Sequence, residues 1–257
     1  TSGRTTLNGE GLQHQDGHSH ILSSTIPNCL SYDPTFSYEI AAIIKDGIQK
    51  MYVENKNYFY YITTMNENYE QPEMPEGSEE GIVKGLYKFK SCNNPQVRLV
   101  GSGSILRESI KAAKLLQNYG IDSEVWSATS FNLLRKEGME VERENQLNPT
   151  LEQKTSYVSE CFNDSDIPII ATTDYMRSYA EQIRPYITSQ YTVLGTDGFG
   201  RSDSREKLRE FFEIDSSSIT RAAAYSLFKE NKIDKVMLEK IYNDMNIDAS
   251  KPNPWEV

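Results

Sequence analysis

The chain has 257 residues, 37% of them hydrophobic, which is enough for one large or two small packed domains. Its formal net charge is -10 and its basic residues are scattered, which argues against a nucleic-acid-binding surface. No apolar run approaches the roughly 20 residues of a membrane span, and three widely separated cysteines favour a reducing compartment, so we expect a cytoplasmic protein without nucleic-acid or membrane partners.

All three histidines of the chain lie within seven residues near its start, at His14, His18 and His20. Histidine has its unperturbed pKa near neutrality, and it therefore serves as an acid, a base, a hydrogen-bond donor or a metal ligand. This clustering in a polar, glycine-containing stretch predicts a functional loop.

Three interpretations of this loop are open from its residues alone. The histidine spacing could hold a transition metal, although Gly17 disfavours a single helical face and no cysteine lies nearby. The segment could also be a solvated loop without a function. A substrate loop is the third interpretation, and it is supported by glycines and charged side chains, namely Gly9, Gly11, Gly17, Arg4, Glu10 and Asp16.

The first part of the chain predicts a strand, a helix and a second strand. Residues 28–32 and 58–63 are short runs typical of strands, and residues 35–53 carry apolar side chains on one helical face. This order indicates parallel strands, but two strands are too few for a covered parallel sheet, so we expect the end of a larger domain. Residues 65–81, rich in proline and glutamate, predict a solvated linker.

From residue 82 onward, strands and helices alternate as in a second α/β unit with a mostly parallel sheet. We predict strands at residues 82–89, 97–100, 124–127, 168–172 and 191–194. We predict helices at residues 105–116, 131–138, 155–162, 175–187, 205–212, 216–230 and 235–245.

Two glycine-containing segments of this unit follow predicted strands. Gly101 and Gly103 could place an anion at a helix start, but Leu106 stands where a dinucleotide fingerprint has its third glycine, so a tight turn with Ser104 as helix cap is the simpler interpretation. The segment 195–204 contains three more glycines at the carboxyl end of a strand, where α/β domains place ligand or interface residues.

Several long motifs, in the same order, resemble the homodimeric type of pyruvate dehydrogenase, a thiamine-diphosphate-dependent decarboxylating family built like transketolase. These motifs are the sequences GEGLQHQDGHSH at 9–20, YYITTMNENY at 60–69, MPEG at 74–77 and LGTDGFGRSDSR at 194–205. The resemblance covers essentially the whole chain, and it implies the C-terminal fragment of a subunit several times longer.

The resemblance implies an α/β fold with two parts. Residues 1–64 would be the C-terminal end of a pyrimidine-binding domain, residues 65–81 a linker, and residues 82–257 a three-layer α/β domain of the transketolase C-terminal type. Pyruvate would be oxidatively decarboxylated and its acetyl group passed to lipoamide. Two alternatives stay open, a non-catalytic module for dimerisation or regulation, and a different transketolase-like enzyme.

The resemblance also implies thiamine diphosphate and Mg²⁺ as cofactors of the longer protein. The family holds them through a Gly-Asp-Gly motif, a hard-oxygen site suited to Mg²⁺, and this motif does not occur in the chain. The family's activating glutamate also lies outside it. We therefore expect no cofactor-binding or metal-binding residues here, and an inactive isolated fragment.

Site residues are carried over from the Asp-Gly-His-Ser-His sequence at 16–20. The resemblance selects His20 first and His18 second as the histidines that face the substrate, and we expect His20 on the surface of the loop. Support would come from His14, Glu10 and Asp16. The implied partners are a second copy of the subunit, with Phe199 and Arg201 near the contact, and the lipoyl-bearing acetyltransferase of the complex.

Overall fold

The computed structural model describes residues 3–7, 11–163 and 166–257. Its strands are β1 (Cys29–Tyr32), β2 (Phe59–Ile62), β3 (Tyr87–Lys90), β4 (Val97–Gly101), β5 (Ser123–Ser127), β6 (Ile169–Thr172) and β7 (Tyr191–Leu194). Its helices are α1 (Ser19–Ser23), α2 (Ser37–Ile48), α3 (Glu79–Lys84), α4 (Leu106–Gln117), α5 (Phe131–Leu147), α6 (Tyr157–Cys161), α7 (Arg177–Glu181), α8 (Arg205–Phe211), α9 (Ser216–Lys229) and α10 (Lys235–Asp244).

The smaller sheet has two parallel strands joined by a helix, as the sequence predicts. β1 pairs with β2 so that Cys29 lies opposite Phe59, and α2 crosses between them before one π-helical turn. Glu39, in the first turn of α2, accepts hydrogen bonds from the backbone N–H groups of Thr35 and Phe36. This carboxylate satisfies donors that a helix start leaves unpaired, which explains where α2 begins.

The larger sheet has five strands in the order β3-β5-β4-β6-β7, and all pairs are parallel except β3 with β5. Every residue of β4, β5 and β6 is buried. This burial follows from helices on both faces, with α4 and α9 in one core cluster and α5, α6 and α7 in the other. The predicted three-layer α/β domain with a mostly parallel sheet is confirmed.

Three predicted elements are wrong in extent or type. Residues 82–89 form the end of α3 and then β3, with Gly85 at φ +110° between them, because Ile82 packs as a helical residue against β1 and α2. Helix α5 runs on to Leu147 rather than ending at 138. The helix predicted at 175–187 is divided into α7 and a 3₁₀ turn that contains Pro185, whose ring cannot continue an α-helix.

The segment between β2 and α3 is irregular, and residues 64–77 are exposed or half-buried, so the solvated linker stays a prediction, but one side chain of the segment is anchored. Glu67 lies between two arginines, with its Oε1 2.6 Å from Arg107 Nη1 and its Oε2 2.5 Å from Arg209 Nη2. Burial alone would raise the pKa of Glu67, but hydrogen bonds and charge from Arg209 and Arg107 lower it. Glu67 therefore ties this part of the segment to helices α4 and α8.

A third core cluster joins residues from both sides of this segment. Leu30, Tyr32 and Ile43 pack together with Ile82 and Tyr87. The two sheets thus share packed apolar surface, while the predicted boundaries at 64 and 82 stay a prediction. Within the part of the chain that the structure describes, no helix is both long and apolar enough to cross a bilayer.

Candidate functional site

The histidine-containing segment lies at the carboxyl edge of the larger sheet. We call residues 11–20 the histidine loop and residues 195–204 the glycine loop. Gly17 accepts a hydrogen bond from Met176 N at 3.0 Å, just beyond β6, and the glycine loop follows β7. The carboxyl edge of a parallel sheet is where α/β folds place functional residues, so this edge is the candidate site.

Part of this edge is filled by the protein's own chain. Chain order reverses between β4 and β6, and such a switch point usually opens a ligand crevice. Here Thr5 donates to Asp174 Oδ1 from its N–H at 3.0 Å and its hydroxyl at 2.7 Å, and Thr6 donates to Oδ2 at 2.5 Å. All three residues are buried, and burial raises the pKa of Asp174.

Ser104 takes part in the same packing instead of capping a helix. It lies inside a 3₁₀ turn, Gly103–Ile105, and its hydroxyl is 2.6 Å from the Thr6 hydroxyl. The predicted capping role of Ser104 is wrong because the hydroxyl is directed at the N-terminal segment rather than at its own helix. Arg205 closes the opposite side of this segment, with its Nε donating to Thr6 O at 2.7 Å.

His20 is fully buried, so the expectation that it lies on the loop surface is wrong. It belongs to helix α1, and its ring stacks on Tyr179 with centroids 4.7 Å apart and meets Tyr175 edge-on at 4.6 Å and Tyr61 at 5.6 Å. Burial lowers the pKa of His20 to about 3, against the charge of Asp16, which raises it. The imidazole is therefore neutral near pH 7.

The buried imidazole reaches a carboxylate through one hydroxyl. His20 Nε2 lies 3.2 Å from Thr63 Oγ1, and the Thr63 hydroxyl donates to Asp33 Oδ1 at 2.7 Å. Thr63 can then accept from the imidazole only if Nε2 carries the proton. Burial raises the pKa of Asp33 to about 7, against hydrogen bonds from Thr63 and Ser102 that lower it. Sequence reasoning missed Asp33, although an acid just after a buried strand was a usable signal.

The other two histidines are exposed. His14 ends a 3₁₀ turn, Leu12–His14, in which no residue is buried. The ring of His18 has both nitrogens 3.5 Å from Arg4 Nη2, so the guanidinium faces the ring rather than one nitrogen. The imidazole rings of His14 and His18 are thus accessible from outside the histidine loop, whereas that of His20 is not.

Asp16 shapes the backbone of the loop. Its Oδ1 accepts from the backbone N–H groups of His18 and Ser19, each at 2.9 Å, and its Oδ2 accepts from the Ser19 hydroxyl. These bonds start helix α1 and so fix where His18 and His20 stand. Glu10, the other predicted supporting acid, lies outside the described residues.

The glycine loop is hydrogen-bonded to the histidine loop. Gln15 is buried, its Oε1 accepts from Arg201 N at 2.6 Å, and its Nε2 donates to Arg201 O. Arg4 donates to Gly198 O on the other side. Phe199 is 81% exposed, while the Arg201 guanidinium lies 4.4 Å from the Phe211 ring centre. The predicted interface role of Phe199 and Arg201 stays a prediction.

The donor set does not fit a metal centre. Among residues 3–7, 11–163 and 166–257, no three His, Cys, Asp or Glu side chains come together in a way that could hold a metal ion. The three histidines diverge, because His20 lies inside the aromatic cluster while His14 and His18 are exposed. The described residues therefore offer no such group of side-chain ligands for Mg²⁺.

Family models match both parts of the chain. Residues 1–72 match the model described as the pyruvate dehydrogenase E1 component middle domain. Residues 85–215 match the model described as the transketolase-like C-terminal domain.

Curated relatives match along the whole chain. The pyruvate dehydrogenase E1 component of Cupriavidus necator is 52% identical over 262 residues, which cover 100% of this chain and 29% of the relative. Those of Pseudomonas aeruginosa and Escherichia coli K12 are 54% and 53% identical, over 100% and 99% of this chain and 30% and 29% of the relatives. The chain thus spans less than a third of the length of these relatives.

Solved structures with a similar fold include transketolases. The enzyme from Pichia stipitis in complex with sedoheptulose 7-phosphate matches with a TM-score of 0.67 at 18% identity, over 91% of this chain and 30% of that one. The enzyme from Leishmania mexicana matches with a TM-score of 0.67 at 17% identity, over 89% and 30%. At such identities the likeness concerns the fold alone.

Proposed function

The chain belongs to the pyruvate dehydrogenase E1 component family, and we propose that it is the C-terminal part of an enzyme that decarboxylates pyruvate and transfers the acetyl group to lipoamide. The observation that carries this proposal is the histidine loop, which exposes two imidazoles at the carboxyl edge of the larger sheet. Identity above 50% to named E1 components along the whole chain supports it.

We assign contact with the substrate to His18 and His14 rather than to His20. An exposed imidazole can hydrogen-bond a substrate carboxylate or exchange a proton with the substrate. The neutral, enclosed ring of His20 has no open face, so it acts as a positioning residue that anchors helix α1. Arg4 holds the His18 ring from one side, and Asp16 holds its backbone.

Thiamine diphosphate and Mg²⁺ belong to the proposed reaction but not to the described residues, which offer no metal-ligand group. We propose that other parts of a longer protein hold both. The isolated chain should then be inactive, and calorimetric titration of the chain with thiamine diphosphate and Mg²⁺ should give no binding heat. Micromolar binding would contradict this part of the proposal.

The histidine assignment is tested in the longer protein, where turnover can be measured. His18→Ala and His14→Ala should each lower the rate of pyruvate decarboxylation or lipoyl acetylation by about 10²- to 10⁴-fold, the usual scale for a general acid or base. Gln13→Ala is the matched control, because Gln13 is exposed on the same loop. Full activity of both histidine variants would return this loop to a structural role.

Partners and location are proposed on the basis of the same family membership. We propose a homodimer, a lipoyl-bearing acetyltransferase as the acceptor component, and a cytoplasmic location. A purely non-catalytic module for dimerisation is the second candidate, and the 81% exposure of Phe199 favours it. The two differ in the histidine experiment, because only the catalytic proposal requires activity to fall without a change in association.

A further inference from the structure

We propose that Gln15 is a positioning residue through which the glycine loop sets the geometry of the exposed histidines. This inference rests on the proposed function, since it concerns how His14 and His18 are held for that reaction. Gln15 lies directly after His14 and three residues before His18. Its side chain is directed away from both, toward the loop that follows β7.

The contact between Gln15 and Arg201 fixes both position and orientation. The carboxamide uses its acceptor on Arg201 N at 2.6 Å and a donor on Arg201 O, so it binds one residue's backbone at two points. The two residues are 186 positions apart in the chain. Gln15 is 7% exposed, so water does not readily replace these bonds. A two-point bond of this kind restrains rotation as well as distance.

Gly200 shows that the two loops are in close backbone contact as well. A Cβ atom at Gly200 would lie 2.8 Å from the backbone oxygen of Leu12, closer than real Cβ atoms approach another atom, and 3.0 Å from the side-chain Oε1 of Gln15, which is a tight contact. Leu12 begins the 3₁₀ turn that ends at His14. A side chain at position 200 would therefore push against the turn that carries His14.

Arg4 closes the contact from the other side. It donates to Gly198 O while its guanidinium faces the His18 ring. The glycine loop thus touches a neighbour of each exposed histidine, Gln15 beside His14 and Arg4 beside His18. The 3₁₀ turn has no buried residue of its own, so its position depends on these contacts.

The experiment compares Gln15→Ala and Gly200→Ala in the longer protein, with Gln13→Ala and Ser202→Ala as controls from the same loops. Ser202 and Gln13 are exposed. We expect both test variants to lower kcat by about 10- to 100-fold, the scale on which a small misplacement of catalytic groups acts. KM should change less, and the controls should match the parent protein.

Amide hydrogen exchange of residues 11–20, followed by mass spectrometry, separates positioning from direct catalysis. It should become about 10-fold faster in both test variants and stay unchanged in both controls. The double variant should resemble either single variant, because both disrupt the same contact. Unchanged exchange in Gln15→Ala overturns the inference, whether or not activity falls.

The same measurements distinguish failure of the inference from failure of the proposed function. If the parent protein shows no pyruvate decarboxylation while exchange responds to both variants, the loop contact stands and the proposed function falls. If the parent protein is active and Gly200→Ala matches Ser202→Ala in both readouts, the inference falls and the function stands.

Discussion

Replacement of His20 by phenylalanine should change how stability depends on pH. The wild-type imidazole is fully buried, with a folded-state pKa of about 3 against 6.5 when unfolded. Below pH 6.5 the unfolded chain therefore takes up a proton that the folded chain does not. The contribution of the buried, neutral His20 ring to the unfolding free energy is fully present above pH 6.5. It decreases by about 1.4 kcal/mol per pH unit as the pH falls from 6.5 toward 3.

The size of the effect follows from that difference. Between pH 7.5 and pH 5.5 the wild-type chain should lose about 1.4 kcal/mol of unfolding free energy through His20, whereas His20→Phe should lose none. At pH 7.5 the variant gives up the hydrogen bond to Thr63 but also removes the buried, unpaired Nδ1. We expect the unfolding free energies of the wild-type and His20→Phe chains to differ by less than about 1 kcal/mol at pH 7.5.

Asp33 requires a difference measurement rather than a single pH curve. Its folded pKa is about 7 and its unfolded value 3.8, so its contribution has the opposite sign and grows as pH falls from 7 toward 3.8. Asp33 is present in both proteins, and comparing them largely cancels its contribution. Urea unfolding of the wild-type and His20→Phe chains at pH 7.5 and 5.5 provides the comparison.

Two further variants complete this test. His20→Ala should lose about 3 kcal/mol at pH 7.5, because it leaves a cavity among Tyr61, Tyr175 and Tyr179. The matched control His14→Ala, at an exposed position, should stay within about 0.5 kcal/mol of the wild type. Equal pH dependence of the wild-type and His20→Phe chains would refute the reasoning, since it would mean that the ring titrates as in water.

Two other perturbations test the segment after β2 and the glycine loop. Glu67→Gln should lower the unfolding free energy by about 2 kcal/mol in urea unfolding, because the buried Arg209 loses the nearer of two countercharges and keeps Glu108 at 3.5 Å. Glu210→Gln, at an exposed pair, should cost less than about 1 kcal/mol. Phe199→Ser should weaken self-association in light scattering without lowering the melting temperature. The control Tyr225→Ser, at another exposed aromatic residue, should change neither quantity. Equal self-association of the two variants would contradict a place for Phe199 in the interface.

The sequence predicts the larger sheet well because its strands are short apolar runs between turns. β4, β6 and β7 are found at the predicted places, since strands buried on both faces have few alternatives. The segment 82–89 shows the limit of this approach. Ile82 is buried by β1 and α2, and that distant packing makes its segment helical.

The candidate site was predictable in place but not in detail. Clustered histidines and a glycine-rich segment after a strand indicate the correct edge of the sheet. The burial of His20 was not predictable, because its ring partners Tyr61, Tyr175 and Tyr179 lie 41 to 159 positions farther along the chain. Local polarity suggested exposure, and only tertiary packing decides which imidazoles stay accessible.

The insertion of Thr5 and Thr6 beneath Asp174 has a consequence for recombining relatives of this chain. The two family models match residues 1–72 and 85–215, so the segment between residues 72 and 85 would be the obvious place to join the genes of two relatives. Where the two parents differ at these positions, such a hybrid would place one parent's donors against the other parent's acceptors at a buried position without water to replace a lost bond. Exchange between parents should therefore keep residues 3–7 together with Asp174, even though Thr5 and Asp174 are 169 positions apart in the chain.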